Sequence, residues 1–132
     1  MLDIRYIQEQ DREEVRKILV EAFSNRYDIP INESFDTSKC VSIVGEFDGK
    51  VAGVATLVVI DKLNRKMGLI EDVAVAKEFQ GKAIGRSLIA SLKITAKTFG
   101  CDKIVLYCKR ELVDWYADNG FEENEVQMQV RL

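Results

Sequence analysis

The sequence predicts an α/β (α+β) fold with one mixed, mostly antiparallel sheet flanked by helices, in the order β-α-β-β-β-α-β-α-β. Three observations support this prediction. Apolar residues alternate with polar ones in several short runs, which is the period of a half-buried strand. They recur every three or four residues in two longer runs, as in amphipathic helices. Between two strand-like runs stands Asp48-Gly49, a pair typical of the tight turn in a hairpin.

The first elements are a strand, a helix and a long loop. Alternation predicts the strand over residues 2–6. Asp11 stands three residues before Glu14, as in a capping box, and apolar residues at helical spacing predict an amphipathic helix over residues 12–24. Residues 25–40 contain the only proline and many polar groups, so we expect a loop. We also expect this loop to select the substrate, because loops on a rigid scaffold often carry specificity.

Three antiparallel strands are predicted before residue 78. The first two form a hairpin around Asp48-Gly49, because both central residues of a type I′ turn need a positive φ. A second turn over residues 62–66 leads into the third strand, MGLIEDVAVA. A helix with one apolar face follows and ends at Gly100. The apolar side chains on that face are Ile84, Leu88, Leu92, Ala96 and Phe99.

The last third of the chain predicts three short elements. The run KIVLYC, residues 103–108, is typical of a buried strand, and residues 111–118 predict a short helix that ends near Asn119-Gly120. Alternating apolar residues in VQMQV, residues 126–130, predict a final strand. With 132 residues and no linker or repeat, we expect one domain over residues 1–132.

Composition excludes several classes of function. A net charge of −3 gives no support to nucleic-acid binding, and no apolar run approaches the ~20 residues that span a membrane. The chain has no histidine, which removes Ser-His-Asp catalysis, Cys-His catalysis and imidazole metal ligation. We therefore expect no metal. The three cysteines, Cys40, Cys101 and Cys108, are odd in number and not in a paired spacing, which favours a reduced, cytoplasmic protein.

The segment FQGKAIGRSL, residues 79–88, carries two glycines, two cations and no carboxylate. A strand leads into it and a helix begins within it. The first amides of a helix lack partners and carry the positive end of its dipole, so they bind phosphate groups well. The spacing matches neither a Walker A loop nor a Gly-x-Gly-x-x-Gly fingerprint. A plain strand-to-helix turn is the alternative for this segment taken alone.

Gln80-Gly81-Lys82-Ala83-Ile84-Gly85 resembles the pyrophosphate loop of the GNAT superfamily of N-acetyltransferases. Ala83 stands where the first glycine of that motif is usual, and alanine is small enough to keep the amides accessible provided that its φ is negative. Over residues 68–132 the pattern is similar to eukaryotic-type glucosamine 6-phosphate N-acetyltransferases, including VDWYADNGF and VQMQVRL. The resemblance implies acetyl-CoA as co-substrate, a small amine as acceptor and a homodimer.

The resemblance also implies roles for individual residues. Glu71 and Asp72 face the substrate amine, Tyr116 lies by the thioester sulfur, and Arg131 is associated with the sugar phosphate. Tyr107 and Cys108 lie beside the substrate, although Tyr107 replaces an acidic residue and Leu112 replaces an asparagine near the cofactor. The residues implied in cofactor binding are Val73, Ala74, Val75, Gln80, Gly81, Lys82, Ala83, Ile84, Gly85, Arg86 and Tyr116.

Acyl transfer to an amine needs a base for the amine and a proton donor for the leaving thiolate. Glu71 or Asp72, directly or through water, is the candidate base. Neighbours in a strand point to opposite faces, so only one of them faces the amine unless a bulge intervenes. A phenol with a pKa of ~10 can lend a proton at neutral pH, which makes Tyr116 the candidate acid. We expect Trp115 in the core and Cys108 as an inert buried thiol.

The function we expect is direct acetyl transfer from acetyl-CoA to a small primary amine, with glucosamine 6-phosphate as the acceptor that the resemblance indicates. Two alternatives stay open. One keeps the enzyme class and changes the acceptor to another small amine or a peptide amine. The other is a non-catalytic acyl-CoA-binding module, against which Tyr116 and the carboxylate pair argue, because binding alone does not need them.

Overall fold

The computed structural model describes residues 1–28 and 38–132. Within these two ranges, five strands form one sheet in the order β1-β2-β3-β4-β5, and three α-helices pack around it. The fold class predicted from the sequence is confirmed. The elements are β1 (Leu2–Tyr6), α1 (Arg12–Ala22), β2 (Cys40–Phe47), β3 (Lys50–Asp61), β4 (Lys66–Val75), α2 (Ile84–Thr98), β5 (Cys101–Val105) and α3 (Val113–Asp118).

The β2–β3 hairpin has the predicted turn. Asp48 has a φ of 50° and Gly49 a φ of 82°, so both central residues adopt the left-handed conformation that a type I′ turn requires. Phe47 pairs directly with Lys50 across this two-residue connection. The turn sets the register of β2 against β3, and β4 pairs antiparallel with the other edge of β3.

The strands β4 and β5 run parallel and separate early. Their pairing ends at Leu69 opposite Val105, whereas β4 continues to Val75. From residue 70 onward, the edge of β4 that faces away from β3 therefore has no strand partner among the described residues. A cleft opens between the end of β4 and the segment that follows β5.

The two faces of the sheet are covered by different helices. Helix α2 packs on one face, where the buried residues are Val41, Ile43, Ala52, Ala55, Leu57, Val59, Ile70, Ile84, Leu88, Ile89, Leu92 and Ala96. Helix α1 packs on the other face, with Val15, Ile18, Leu19, Val44, Val54 and Ala74. No helix among the described residues is long and apolar enough to cross a lipid bilayer.

Three predicted elements differ from the structure. The final strand is absent: residues 121–132 form no strand, and Val126, Met128 and Val130 are 86%, 90% and 79% exposed. A lone extended segment gains no ladder hydrogen bonds, so alternation does not suffice to make a strand without a neighbour. Strand β5 begins and ends earlier than predicted. Helix α3 is preceded by a 3-10 turn, Arg110–Leu112. Of the predicted substrate loop, residues 29–37 lie outside the described residues.

An ion pair joins β1, β2 and the start of α1. Arg5 donates from its two terminal nitrogens to the carboxylate of Asp11 at 2.7 and 3.0 Å, and from Nε to Glu46 at 3.4 Å. The backbone N–H of Gln8 also donates to Asp11, whose side chain is 3% exposed. Asp11 therefore caps the turn that precedes α1, pairing with Gln8 rather than with Glu14 as predicted.

The hydrogen bonds from Arg5 hold the pKa of Asp11 below its usual value. We expect Asp11→Asn to lower the free energy of unfolding by about 3 kcal/mol, because it removes the buried carboxylate that Arg5 contacts at 2.7 and 3.0 Å and leaves only the longer contact with Glu46. The stabilisation from Asp11 is present above the unfolded pKa of ~3.9 and is lost as the pH falls through the depressed folded pKa. Urea unfolding of both proteins between pH 3 and pH 7 measures the effect.

Glu14→Gln is the matched control, because its exposed carboxylate pairs with Lys17 at 3.6 Å on the surface of α1. Such a pair contributes about 0.5 kcal/mol or less. Equal losses in the two variants would show that Asp11 does not anchor α1 to the sheet.

Candidate active site

Strand β4 contains one extra residue at the predicted site. Glu71 pairs with Thr56 and Ala74 pairs with Val54, so three residue steps on β4 lie opposite two on β3. Asp72, inside this β-bulge, has a φ of 55°. A non-glycine residue in the left-handed region is strained, and such residues occur preferentially at functional sites.

The bulge turns both acidic side chains to the same face of the sheet. Ile70, before the bulge, packs under α2, whereas Ala74, after the bulge, packs under α1. In a regular strand, residues four positions apart would lie on the same face. Glu71 shares the α1 face with its partner Thr56, and Asp72 lines a cavity on that face. Strict strand alternation would have placed the two carboxylates on opposite faces.

The two carboxylates have different surroundings. Asp72 is half-buried at the cavity, and burial raises the pKa of its carboxyl group. Glu71 is exposed, and partial burial followed by repulsion from Asp72 raises its pKa as well. Each carboxyl group is therefore easier to protonate than in water, which suits a group that accepts a proton from an amine.

The cleft between β4 and β5 brings a second set of predicted residues together. The side chains of Val73 and Val75 pack against the α2 core, while the unpaired edge of β4 presents their backbone groups to the cleft. The side-chain amide of Gln80 donates from Nε2 to the carbonyl of Val75 at 3.3 Å and so holds the loop after β4 against the strand. An extended ligand with amide groups can pair with this edge as another strand would.

The N-terminus of α2 opens onto the same cleft. Its cap residue, Ala83, has a φ of 59°, so the negative φ on which the expected access to the amides depended is not found. The strand-to-helix turn imposes the left-handed conformation that glycine adopts without strain in the related motif. No side chain among the described residues caps this helix. The amides of Ile84, Gly85 and Arg86 lie in its first turn, where N–H groups have no intrahelical partner.

Two cations flank these amides. Lys82 and Arg86 are both exposed, and the ammonium group of Lys82 lies 5.4 Å from the ring centre of Phe47. Arg86 lies in the first turn of α2, and this turn contains no acidic residue. The helix terminus and the two side chains together favour a negatively charged ligand at this end of the cleft.

Helix α3 forms the opposite wall. The ring of Trp115 packs on the first turn of α2 so closely that a side chain at Gly85 would lie 3.2 Å from it. With 37% of its surface exposed, Trp115 is not the core residue we predicted. Tyr116 lies edge-on to Trp115 and to Phe121, with ring centres 4.8 and 5.9 Å apart. Burial first, and then the negative charge of a Cys108 thiolate, raise the pKa of Tyr116.

Three predicted residues are not gathered in this way. Tyr107 and Cys108 are exposed, because β5 ends at Val105 and the chain has left the sheet before it reaches them. The prediction that Cys108 is a buried thiol was therefore wrong. Arg131 is exposed in the segment after residue 121, which forms no strand.

Sequence reasoning missed two features near the site. The hydroxyl groups of Ser42 and Thr56 lie 2.7 Å apart beside Asp72 in the cavity, where two polar residues interrupt apolar strands. Lys93 donates from its ammonium group to the carbonyl of Asn119 and lies 5.2 Å from the ring centre of Phe121. Lys93 therefore ties α2 to the end of α3, three residues after Tyr116.

Comparison with known proteins gives one consistent family. Residues 7–121 match the model of the acetyltransferase (GNAT) family. A glucosamine 6-phosphate N-acetyltransferase from Arabidopsis thaliana is 32% identical over 111 residues, which cover 82% of this chain and 74% of that protein. One from Candida albicans is 36% identical over 92 residues, covering 67% of this chain and 62% of that protein. The crystal structure of a Trypanosoma brucei acetyltransferase has a TM-score of 0.88, is 25% identical and covers 100% of both chains.

Ala83→Gly should stabilise the protein, because it relieves the left-handed alanine before α2. The relief is ~1–2 kcal/mol, and the added freedom of glycine in the unfolded chain offsets ~0.5–1 kcal/mol of it. The control Ala90→Gly makes the same substitution at an exposed position inside α2 and should destabilise by about 1 kcal/mol. Chemical denaturation measures both, and a loss of stability in both variants would contradict the left-handed turn.

Asp72→Asn should raise the melting temperature of the protein without ligand at pH 7 by roughly 2–4 °C. The folded pKa of Asp72 lies above its unfolded value, so stability falls as the pH rises through the folded pKa. Asparagine removes that charge and tolerates the positive φ. Glu78→Gln, at an exposed position after β4, is the control and should change little. A lower melting temperature in Asp72→Asn would mean that the carboxylate has a structural partner.

Proposed function

Because this chain belongs to the GNAT family of N-acetyltransferases, we propose that it transfers an acetyl group directly from acetyl-CoA to a small primary amine. The observation that carries the proposal is the bulge in β4. It places Asp72 on the α1 face, where an acceptor can enter, and leaves the next three residues on the edge of the cleft that ends at Tyr116.

The cleft fits the parts of acetyl-CoA. Backbone groups of Val73 to Val75 pair with the amides of the pantetheine arm, and the first amides of α2 receive the pyrophosphate. Lys82 and Arg86 add charge at that end. The three remaining residues that the resemblance implies, Gln80, Gly81 and Ala83, shape the loop between the two sites.

In the proposed reaction Asp72 takes the proton from the attacking amine, directly or through water. Glu71 lies on the same face and supports the neutral amine by accepting a hydrogen bond or the same proton. Backbone amides at the end of β4 oppose the charge that develops on the acetyl oxygen. Tyr116 gives its proton to the leaving thiolate, and burial keeps that hydroxyl protonated at neutral pH.

Glucosamine 6-phosphate is the first acceptor to test, since relatives above 30% identity are named glucosamine 6-phosphate N-acetyltransferases. Arg131 and the exposed residues Tyr107 and Cys108 are the candidates for contact with the sugar and its phosphate. Arg131 reaches such a position only when the last segment of the chain packs against a neighbour.

A homodimer supplies that neighbour. We propose that residues 126–130 of each chain pair with a second copy, because three apolar side chains on one face of the segment are exposed. The outer edge of β5 is also unpaired among the described residues.

Light scattering should give the mass of two chains for the wild type and of one chain for a Met128→Asp/Val130→Asp variant. The control Gln127→Asp/Gln129→Asp changes the other face of the segment and should remain dimeric. A wild type with the mass of one chain would contradict the dimer.

The direct test of the proposed function is release of free CoA from acetyl-CoA in the presence and absence of glucosamine 6-phosphate and other primary amines, with the acetylated product identified by mass. Amine-dependent release supports the proposal. Tight binding of acetyl-CoA with no release for any amine would favour a binding module instead.

Tyr116→Phe keeps the ring and its edge-on contacts and removes the hydroxyl group. We expect the turnover rate to fall about 10²–10⁴-fold while the affinity for acetyl-CoA stays nearly unchanged. Steady-state kinetics and calorimetry on one preparation measure both, with a melting curve to check folding. Full turnover in this variant would make Tyr116 a packing residue.

A further inference from the structure

Helix α3 is too short to fix its own position. It consists of six residues, Val113–Asp118, whereas an isolated helix needs roughly 12–15 residues to be even marginally stable in water. Residues 121–132, which follow it, form no strand, so no ladder of hydrogen bonds holds its C-terminal end to the sheet. The position of Tyr116 therefore depends on contacts that other elements make with the end of α3.

Lys93 supplies such a contact from α2. Its ammonium group donates to the backbone carbonyl of Asn119, the residue directly after α3, and lies 5.2 Å from the ring centre of Phe121. A cation is favourable at the C-terminal end of a helix, where carbonyl groups carry the negative end of the dipole. A Cβ atom at Gly120 would lie only 2.9 Å from the ammonium nitrogen, so this glycine leaves Lys93 the space it occupies.

Both partners of Lys93 contact Tyr116. The N–H groups of Asn119 and Phe121 donate to the carbonyl of Tyr116 at 3.0 and 3.1 Å. The ring of Phe121 also lies edge-on to the ring of Tyr116, with centres 5.9 Å apart. The side chain of Asn119 donates to the carbonyl of Trp115 at 2.8 Å. One cation on α2 thus holds the backbone and the ring that flank the candidate proton donor.

We propose that Lys93 is a positioning residue for acetyl transfer: it holds Tyr116 where the hydroxyl group reaches the sulfur of acetyl-CoA. The inference rests on the proposed function and adds a residue that acts through Tyr116. In the step concerned, the O–H bond of Tyr116 breaks, an S–H bond forms on CoA, and the phenolate recovers a proton from water. A misplacement of about 1 Å can cost roughly 10²-fold in rate, so the support of the acid matters as well as its pKa.

Lys93→Met keeps an unbranched side chain and removes the ammonium group. With acetyl-CoA and the amine of the panel that turns over fastest, we expect kcat to fall about 10–10²-fold while the Kd of acetyl-CoA stays nearly unchanged. Lys93→Arg keeps the charge and the N–H donors and should recover most of the loss. The control Lys97→Met removes an exposed ammonium group one turn later on α2 and should keep the wild-type kcat.

A double-mutant cycle tests whether Lys93 acts through the hydroxyl of Tyr116. The Tyr116→Phe protein has no hydroxyl left to misplace, so adding Lys93→Met should lower its kcat little further. A residue that supports the fold in general, or that acts on another group of the site, would lower kcat by the same factor in both backgrounds. Melting curves for all variants verify that they are folded at the assay temperature.

Trp115 gives a second measurement that does not depend on turnover. It is the only tryptophan of the chain, it precedes Tyr116 on α3, and 37% of its surface is exposed. If Lys93 holds the end of α3, acrylamide should quench the fluorescence of Lys93→Met more strongly than that of the wild type. Quenching of Lys97→Met should match the wild type.

The outcomes separate this inference from the function on which it rests. A slow Tyr116→Phe together with wild-type kcat in Lys93→Met would overturn the positioning role and leave the acid in place. Equal losses from Lys93→Met in both backgrounds, or quenching unchanged by Lys93→Met, would also overturn it. Full turnover in Tyr116→Phe would overturn the acid and the positioning role together, and release of CoA with no amine of the panel would overturn the proposed function itself.

Discussion

The single extra residue in β4 is the constraint on which the candidate site depends. Without it, Glu71 and Asp72 would point to opposite faces of the sheet, and Val73 and Val75 would turn away from the α2 core. With it, one strand serves two purposes. Its acidic residues lie on the α1 face, where Asp72 lines the cavity, and its last residues present backbone groups to the cleft beside β5.

The rest of the fold holds this strand in place. The Asp48-Gly49 turn fixes the register of β3 against β2. Beyond Leu69, β3 is the only strand among the described residues that pairs with β4. Arg5 and Asp11 fasten α1, the roof of the cavity, to β1 and β2. Lys93 fastens α3 to α2 and so positions Tyr116 across the cleft. The buried interactions thus support strained positions at Asp72 and Ala83, where strain coincides with the proposed chemistry.

Local chemistry made much of this predictable from the sequence. The hairpin and the apolar face of α2 follow from turn residues and periodicity. The bulge does not follow from the sequence, since nothing in GLIEDVAV marks an extra residue. The adjacent acidic residues only indicated that both could face the amine if a bulge intervened. The negative φ that alanine prefers is not found at Ala83, because the geometry of the strand-to-helix turn outweighs that preference. The strand predicted at residues 126–130 needs a partner that the isolated chain does not supply.

A crystal structure of the complex with acetyl-CoA tests the central claim most directly. The account places the pantetheine arm along Val73 to Val75, the pyrophosphate at the first amides of α2, and the thioester carbon between Asp72 and the hydroxyl of Tyr116. In that structure β4 keeps its bulge, with Asp72 at a positive φ. An acetyl group bound away from Asp72, or a regular β4 that sends Glu71 and Asp72 to opposite faces, would contradict it.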